Sequence, residues 1–222
     1  MTTLIFVRHG QSMANLQQVF AGHYDIPLTE LGHAQAEKTA EYLDRYPIDC
    51  IYSSDLIRAR QTAEHTAARR GMPIVNDEVF REIFAGEWEG MPFEEIKERY
   101  EDSHLVWCKQ ITRSRPNGGE SVQELSKRIW QGVQSVLETH RGQTVAIFTH
   151  ATPVRTLSWR WKGYDIHSGD PEQLDRADEV VFCPNASVSV AEYDDADRLI
   201  SYTYGYAEHL KDLSTELPRG LV

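Results

Sequence analysis

Leu4-Ile5-Phe6-Val7 is an unbroken apolar run. A strand with one wet face would alternate apolar and polar residues, so a continuous run that short belongs to a strand covered on both sides. Further short strands are predicted at Asp49–Ser53, Thr144–Thr149, Val188–Tyr193 and Leu199–Tyr204. Amphipathic stretches separate them. Thr29 reads as an N-cap ahead of Ala36, Ala40 and Leu43 at helical spacing, and Ala59, Ala63 and Ala67 recur every fourth residue in the next helix. Ser121-x-x-Glu124 is a capping box before the stripe Val122, Leu125, Ile129, Val133, Val136 and Leu137. Thr152–Trp161 reads as a helix that accepts Pro153 in its first turn.

Strands alternating with helices predict an α/β fold, a three-layer α/β/α sandwich with a mostly parallel sheet. The last two strands, joined by Asp194-Asp195-Ala196-Asp197, supply an antiparallel hairpin. Without an internal repeat or low-complexity linker, residues 1–222 are expected to form a single domain. Gly- and Pro-rich breaks from Gly71 to Gly119 mark 71–119 as an excursion that covers one end of the sheet, with a short charged helix at Phe93–Tyr100. The acidic segment from Asp165 to Glu179 is read as an inert surface loop in preference to a lid.

Charge removes several classes of partner. Against 23 Lys and Arg stand 34 Asp and Glu, a formal charge of −11, and no basic run exists to meet nucleic acid or an anionic membrane. A small anion is not excluded, because a few local cations can hold it. No stretch approaches the roughly 18 apolar residues of a membrane span. The first residues lack the basic start of a signal peptide. Cys50, Cys108 and Cys183 are few, odd in number and far apart, so a reducing, cytoplasmic compartment is expected. Asn185-Ala186-Ser187 is formally a glycosylation sequon, a reading that the lack of a secretion signal disfavours.

In open α/β sheets ligands bind beyond the carboxyl ends of the strands. Arg8, His9 and Gly10 follow the first strand; Ser54, Asp55 and Arg58 follow the second; His150 and, one turn on, Arg155 follow the third. Arginines and histidines thus converge on one rim. Arg offers a planar fork matched to two phosphate oxygens, and helix starts at Ser54 and Ala151 add backbone N–H groups. A phosphoryl group fits this cluster. No metal site is expected, since neither histidine belongs to a ligand-spaced motif.

Phe6-Val7-Arg8-His9-Gly10-Gln11-Ser12-Met13-Ala14-Asn15 resembles the signature of the histidine phosphatase superfamily, the phosphoglycerate-mutase-like proteins. The resemblance continues in order through Asp25–Gly32, Tyr52–Ala63, Arg81–Gly90, Gly119-Glu120-Ser121 and Thr149–Arg155, and beyond Arg155 mainly through the weaker matches of Asn185-Ala186-Ser187 and the final hairpin. It implies that His9 is the nucleophile that becomes phosphorylated. Arg8, Asn15, Arg58 and His150 are implied to hold phosphoryl oxygens, and Glu82 to act as acid and then base. Gln11, Ser12, Gly22 and Ala151 are implied to be substrate-binding. Where family members commonly carry Ser-His-Gly-Gly, this chain has Thr149-His150-Ala151-Thr152, which predicts a slightly tighter but intact pocket.

Phosphatase and mutase share these residues. Mutases of the superfamily typically carry a longer, more basic insertion after the Glu82 position, whereas Phe84–Gly90 here is acidic and aromatic and the interval to Gly118 is short. The favoured reading is a metal-independent phosphomonoesterase for a small phosphorylated metabolite, needing no cofactor. The alternatives are a phosphoglycerate-mutase-type isomerase and a non-catalytic binder of phosphorylated ligands. Phe20, His23, Phe84 and Trp88 are the residues expected to line the leaving-group side.

Overall fold

A computed structural model describes residues 1–215 of the chain, so residues 216–222 of the expected domain lie outside the described residues. A six-stranded sheet runs through it. Its strands are β1 (Thr2–Arg8), β2 (Cys50–Ser53), β3 (Ile74–Asn76), β4 (Thr144–Thr149), β5 (Val188–Tyr193) and β6 (Leu199–Tyr206), in the spatial order β3-β2-β4-β1-β5-β6. β1, β2, β3 and β4 pair in parallel, and β5 runs antiparallel to both of its neighbours. The sheet is therefore mostly parallel with an antiparallel element.

The apolar run at the start of the chain explains the layering. Leu4 and Phe6 join a core with α6 (Val122–Thr139) and α7 (Ala151–Trp161) on one face of the sheet; Ile5 and Val7 join a second core with α2 (Glu30–Leu43) and α3 (Ile57–Arg70) on the other. Successive side chains of a strand point to opposite faces, so one four-residue run serves both cores. In α6 the stripe from Val122 to Leu137 is buried as its period requires, and Ser121 and Glu124 close the capping box.

Several elements were not read from the sequence. α1 (Met13–Gln17) is a single short turn capped by Ser12, β3 is a three-residue edge strand, and α5 (Glu101–Lys109) lacks a strong apolar period. The acidic segment differs from expectation more sharply. It contains α8 (Pro171–Asp178), with Asp170 as N-cap and Pro171 in the first turn, a helix-start pattern masked by the density of charge. Its end is tied down: Asp178 accepts from the Thr112 N–H at 2.8 Å and from Arg113 at 3.2 Å.

Register brings the strand ends together. Arg8 lies opposite Thr149 and Ser53 opposite Phe148, and the His9 N–H continues the ladder to the Thr149 carbonyl at 2.9 Å. The residues immediately after β1, β2 and β4 therefore share one edge. The turn after His9 is close-packed, because a Cβ on Gly10 would fall 2.4 Å from the Gly32 carbonyl oxygen. Glycine there lets the start of α2 sit directly beneath the turn.

Candidate active site

Beyond that edge is a cavity lined by Arg8, His9, Ser12, Asn15, Phe20, Arg58, Glu82 and Ala151 among the residues singled out from the sequence. His9 is 4% exposed, and its Nδ1 lies 2.7 Å from the carbonyl oxygen of Gly10. A carbonyl only accepts, so in the neutral ring Nδ1 carries the proton and Nε2 keeps its lone pair. Burial, followed by the charges of Arg58 and Arg8, holds the His9 pKa well below the ordinary 6.5. The imidazole is neutral at pH 7, the state a nucleophile requires.

The two arginines are anchored by backbone carbonyls and not by carboxylates. Arg58 donates to Gly22 at 2.6 Å and to Tyr24 at 3.1 Å, and Arg8 donates to Cys183. In both, the buried Nε has no partner among the described residues. Among the described residues neither guanidinium forms a salt bridge, which leaves both charges to an anion in the cavity. Burial lowers the Arg58 pKa to about 10 against the opposing pull of Glu82, Asp25 and Glu89, which leaves it charged at neutral pH. Gly22, at φ +51°, does not line the cavity; it contributes through the carbonyl that holds Arg58.

Asn15 is oriented by its oxygen. Its Oδ1 accepts from the N–H and the hydroxyl of Ser12, each at 3.0 Å, so the amide nitrogen is left for the cavity. His150 is fully buried and stands behind the cavity lining, with its ring centroid 5.2 Å from that of His9. Its Nε2 meets the Ser54 hydroxyl at 2.8 Å, while Nδ1 has no partner among the described residues. Burial and the Arg58 charge push its pKa well below 6.5. Glu82 is 9% exposed; one oxygen accepts from the Ile83 N–H at 2.9 Å and the other from the Thr152 N–H at 3.3 Å, in the first turn of α7.

Several expected site residues stand elsewhere. Trp88 is wholly buried and packs edge-on against Phe20 and Trp107, behind the wall and not on it. His23 donates from Nε2 to the Glu82 carbonyl at 2.9 Å and leans on the exposed Phe84, so neither lines the cavity. Gln11 is used to seat α2: its N–H donates to Gln35, and its side chain accepts from the N-cap hydroxyl of Thr29. Arg155 does not line the cavity; it donates to the Asp178 carbonyl at 2.8 Å and lies 4.5 Å over the Phe182 ring.

Val19, Ala21, Phe93, Trp107, Thr152 and Phe182 line the cavity without having been singled out. Most are apolar residues in loops or in the 71–119 excursion, where no motif distinguishes a wall aromatic from a core one. Asn185 stands out in the sequence only within Asn185-Ala186-Ser187, as a sequon and as a weak match to the family in the tail of the chain. At 2% exposure it is closed to glycosylation, and its side chain reaches the backbone of His9.

The chain matches the histidine phosphatase superfamily (branch 1) over residues 4–203. It is 36% identical over 172 residues to the uncharacterized phosphatase PhoE of Bacillus subtilis, covering 78% of this chain and 81% of that one. Phosphoserine phosphatase 1 of Hydrogenobacter thermophilus is 32% identical over 166 residues, 75% of this chain and 79% of the relative. Among solved structures, Bacillus stearothermophilus YhfR superposes with a TM-score of 0.87 at 30% identity, covering 95% of this chain and all of that one. A strand-end cluster of two charged arginines, a neutral buried histidine and a carboxylate, carried on this fold and in this lineage, places the chain in the histidine phosphatase superfamily as an enzyme of the phosphatase type.

Proposed function

We propose that the protein hydrolyses phosphomonoesters through a phosphohistidine on Nε2 of His9. The observation that carries this reading is the state of His9: neutral, fixed as the Nδ1–H tautomer and set beside two guanidiniums free of carboxylate partners. Nε2 attacks phosphorus as the bond to the ester oxygen breaks, and Glu82, acting as general acid, gives a proton to the departing alcohol. Water then surrenders a proton to the Glu82 carboxylate and attacks phosphorus. The P–N bond breaks, inorganic phosphate leaves, and His9 returns to its starting tautomer. Arg8, Arg58, Asn15 and His150 hold the equatorial oxygens, where charge spreads in the transition state. Two guanidiniums supply the positive charge, so the mechanism calls for no metal.

The leaving-group side favours an apolar alcohol. Val19, Phe20, Phe93, Trp107 and Phe182 line the cavity and are assigned here to the leaving group, and the lining among the described residues carries no third cation beyond Arg8 and Arg58. Phosphoserine would leave an ammonium and a carboxylate against aromatic rings, and a mutase would need a cation for its substrate's carboxylate. In this reading residues 1–222 form one cytoplasmic catalytic unit whose 71–119 excursion supplies part of the wall. The test is a hydrolysis screen in EDTA over an aryl phosphate, glycerol phosphate, phosphoserine and 3-phosphoglycerate. The aryl ester should show the highest kcat/KM. A preference for phosphoserine would contradict the apolar assignment, and migration of phosphate without release would contradict hydrolysis.

A further inference from the structure

Asn185 stands just before β5, in the loop that returns from α8, and its carboxamide reaches three atoms of the nucleophile's turn. Nδ2 lies 3.2 Å from the carbonyl oxygen of His9, 3.3 Å from that of Gly10 and 3.2 Å from Oδ1 of Asn15. All three are acceptors; the Asn15 atom is an oxygen because the Ser12 backbone N–H donates to it. On the other side, Oδ1 of Asn185 accepts from the Thr215 hydroxyl at 3.3 Å. The surroundings thus decide which way the amide faces.

Two of these contacts act on working groups. The Gly10 carbonyl receives the His9 Nδ1–H, so holding that carbonyl holds the ring and its tautomer. Donation to Asn15 Oδ1 adds to the two Ser12 donors and keeps the Asn15 nitrogen turned to the cavity. The backbone supports the same arrangement independently. Ala186 sits at φ +56°, a conformation that L-residues rarely adopt, and there its N–H donates to the His9 carbonyl at 3.1 Å. A non-glycine residue held in that conformation beside an active site marks a constraint imposed by its neighbours.

We infer that Asn185 is a positioning residue, setting the Nδ1–H tautomer of His9 and the orientation of Asn15 without touching substrate. The inference rests on the reading of His9 as nucleophile. Its test pairs ring nitrogen NMR of ligand-free protein with kinetics on p-nitrophenyl phosphate. In the wild type His9 should show a single Nδ1–H tautomer; an Nε2–H ring there would overturn the inference with no variant needed. Asn185→Ala should show mixed tautomers, and kcat should fall about 100-fold, more than KM rises, as expected for a misplaced reacting group. Asn185→Asp keeps the volume and the Thr215 contact but loses the donor, and carries the same expectation if the alanine variant does not fold. A folded variant with the wild-type tautomer, whether its kcat is unchanged or falls together with Tm, would reduce Asn185 to a structural role. The NMR reading does not depend on turnover, so failure of the nucleophile assignment would show separately, as a wild type that never phosphorylates His9.

Discussion

The two ends of the cavity are built on opposite plans. At the end proposed to hold the phosphoryl group, Arg8, His9 and His150 stand at strand termini that the sheet's register places side by side, and Arg58 stands in the first turn of α3. At the end proposed to hold the leaving group, Phe20 comes from a loop, Phe93 from the start of α4 (Phe93–Arg99), Trp107 from α5 and Phe182 from the segment after α8. One end takes its precision from the sheet, whereas the other depends on packing between pieces far apart in the chain. Substitutions at the first should therefore affect chemistry with every substrate, and substitutions at the second should affect discrimination between substrates.

Removing the nucleophile is the hardest test of that contrast. His9→Ala should lower kcat by about 10⁴-fold or more for all phosphoesters, measured as phosphate release, because the residues of the site act as a unit. Arg58→Ala should cost about 10²- to 10³-fold in kcat across the same panel, since one preorganised charge is lost where negative charge spreads. At the other end, Phe182→Ala should reduce kcat/KM for the aryl phosphate by about 10- to 100-fold while leaving glycerol phosphate within about threefold. Equal losses on both substrates would erase the distinction between the two ends.

Proton linkage separates the regions more gently. His9 and His150 are held neutral well below 6.5, and burial lowers His209, near the C-terminal end of the described chain, to about 4. Below pH 6.5 the unfolded chain binds protons that the folded chain refuses, so stability is full above 6.5 and declines as pH falls toward the folded pKa values. Urea melts at pH 7 and pH 5 should show the lower midpoint at pH 5. Over the same interval kcat/KM should persist below pH 6.5, where an ordinary histidine would already be protonated. The smallest effect expected is that of salt. With a net charge of −11, the chain's global field opposes a dianionic substrate, and a Debye length of about 10 Å at 0.1 M screens that repulsion. Moderate inert salt should leave kcat/KM unchanged or raise it; a steep fall would contradict this.

The same division governs what could be read without coordinates. The run Leu4–Val7 and the capping box at Ser121 carry local physical signals, and the layers and α6 follow from them. Arg8, His9 and His150 were legible because a strand end is a place that periodicity can locate. Trp107 and Phe182 were not, because an aromatic on a cavity wall and one in a core bury similar surface and have the same local pattern; only tertiary packing separates them. Trp88 shows the converse, an aromatic beside the Glu82 segment that packs behind the wall. Arg155 follows β4 by one helical turn, yet its guanidinium caps the end of α8. Helical spacing places a residue near an edge but does not say which way a long side chain turns.

The claim on which everything else depends is the covalent intermediate on His9. Protein quenched in alkali during turnover of an aryl phosphate, digested and analysed by mass spectrometry, should carry one phosphoryl group on the peptide containing His9, stable to base and lost in acid. Label on any other residue, or rapid turnover with no phosphorylated peptide and full activity in His9→Ala, would contradict the account.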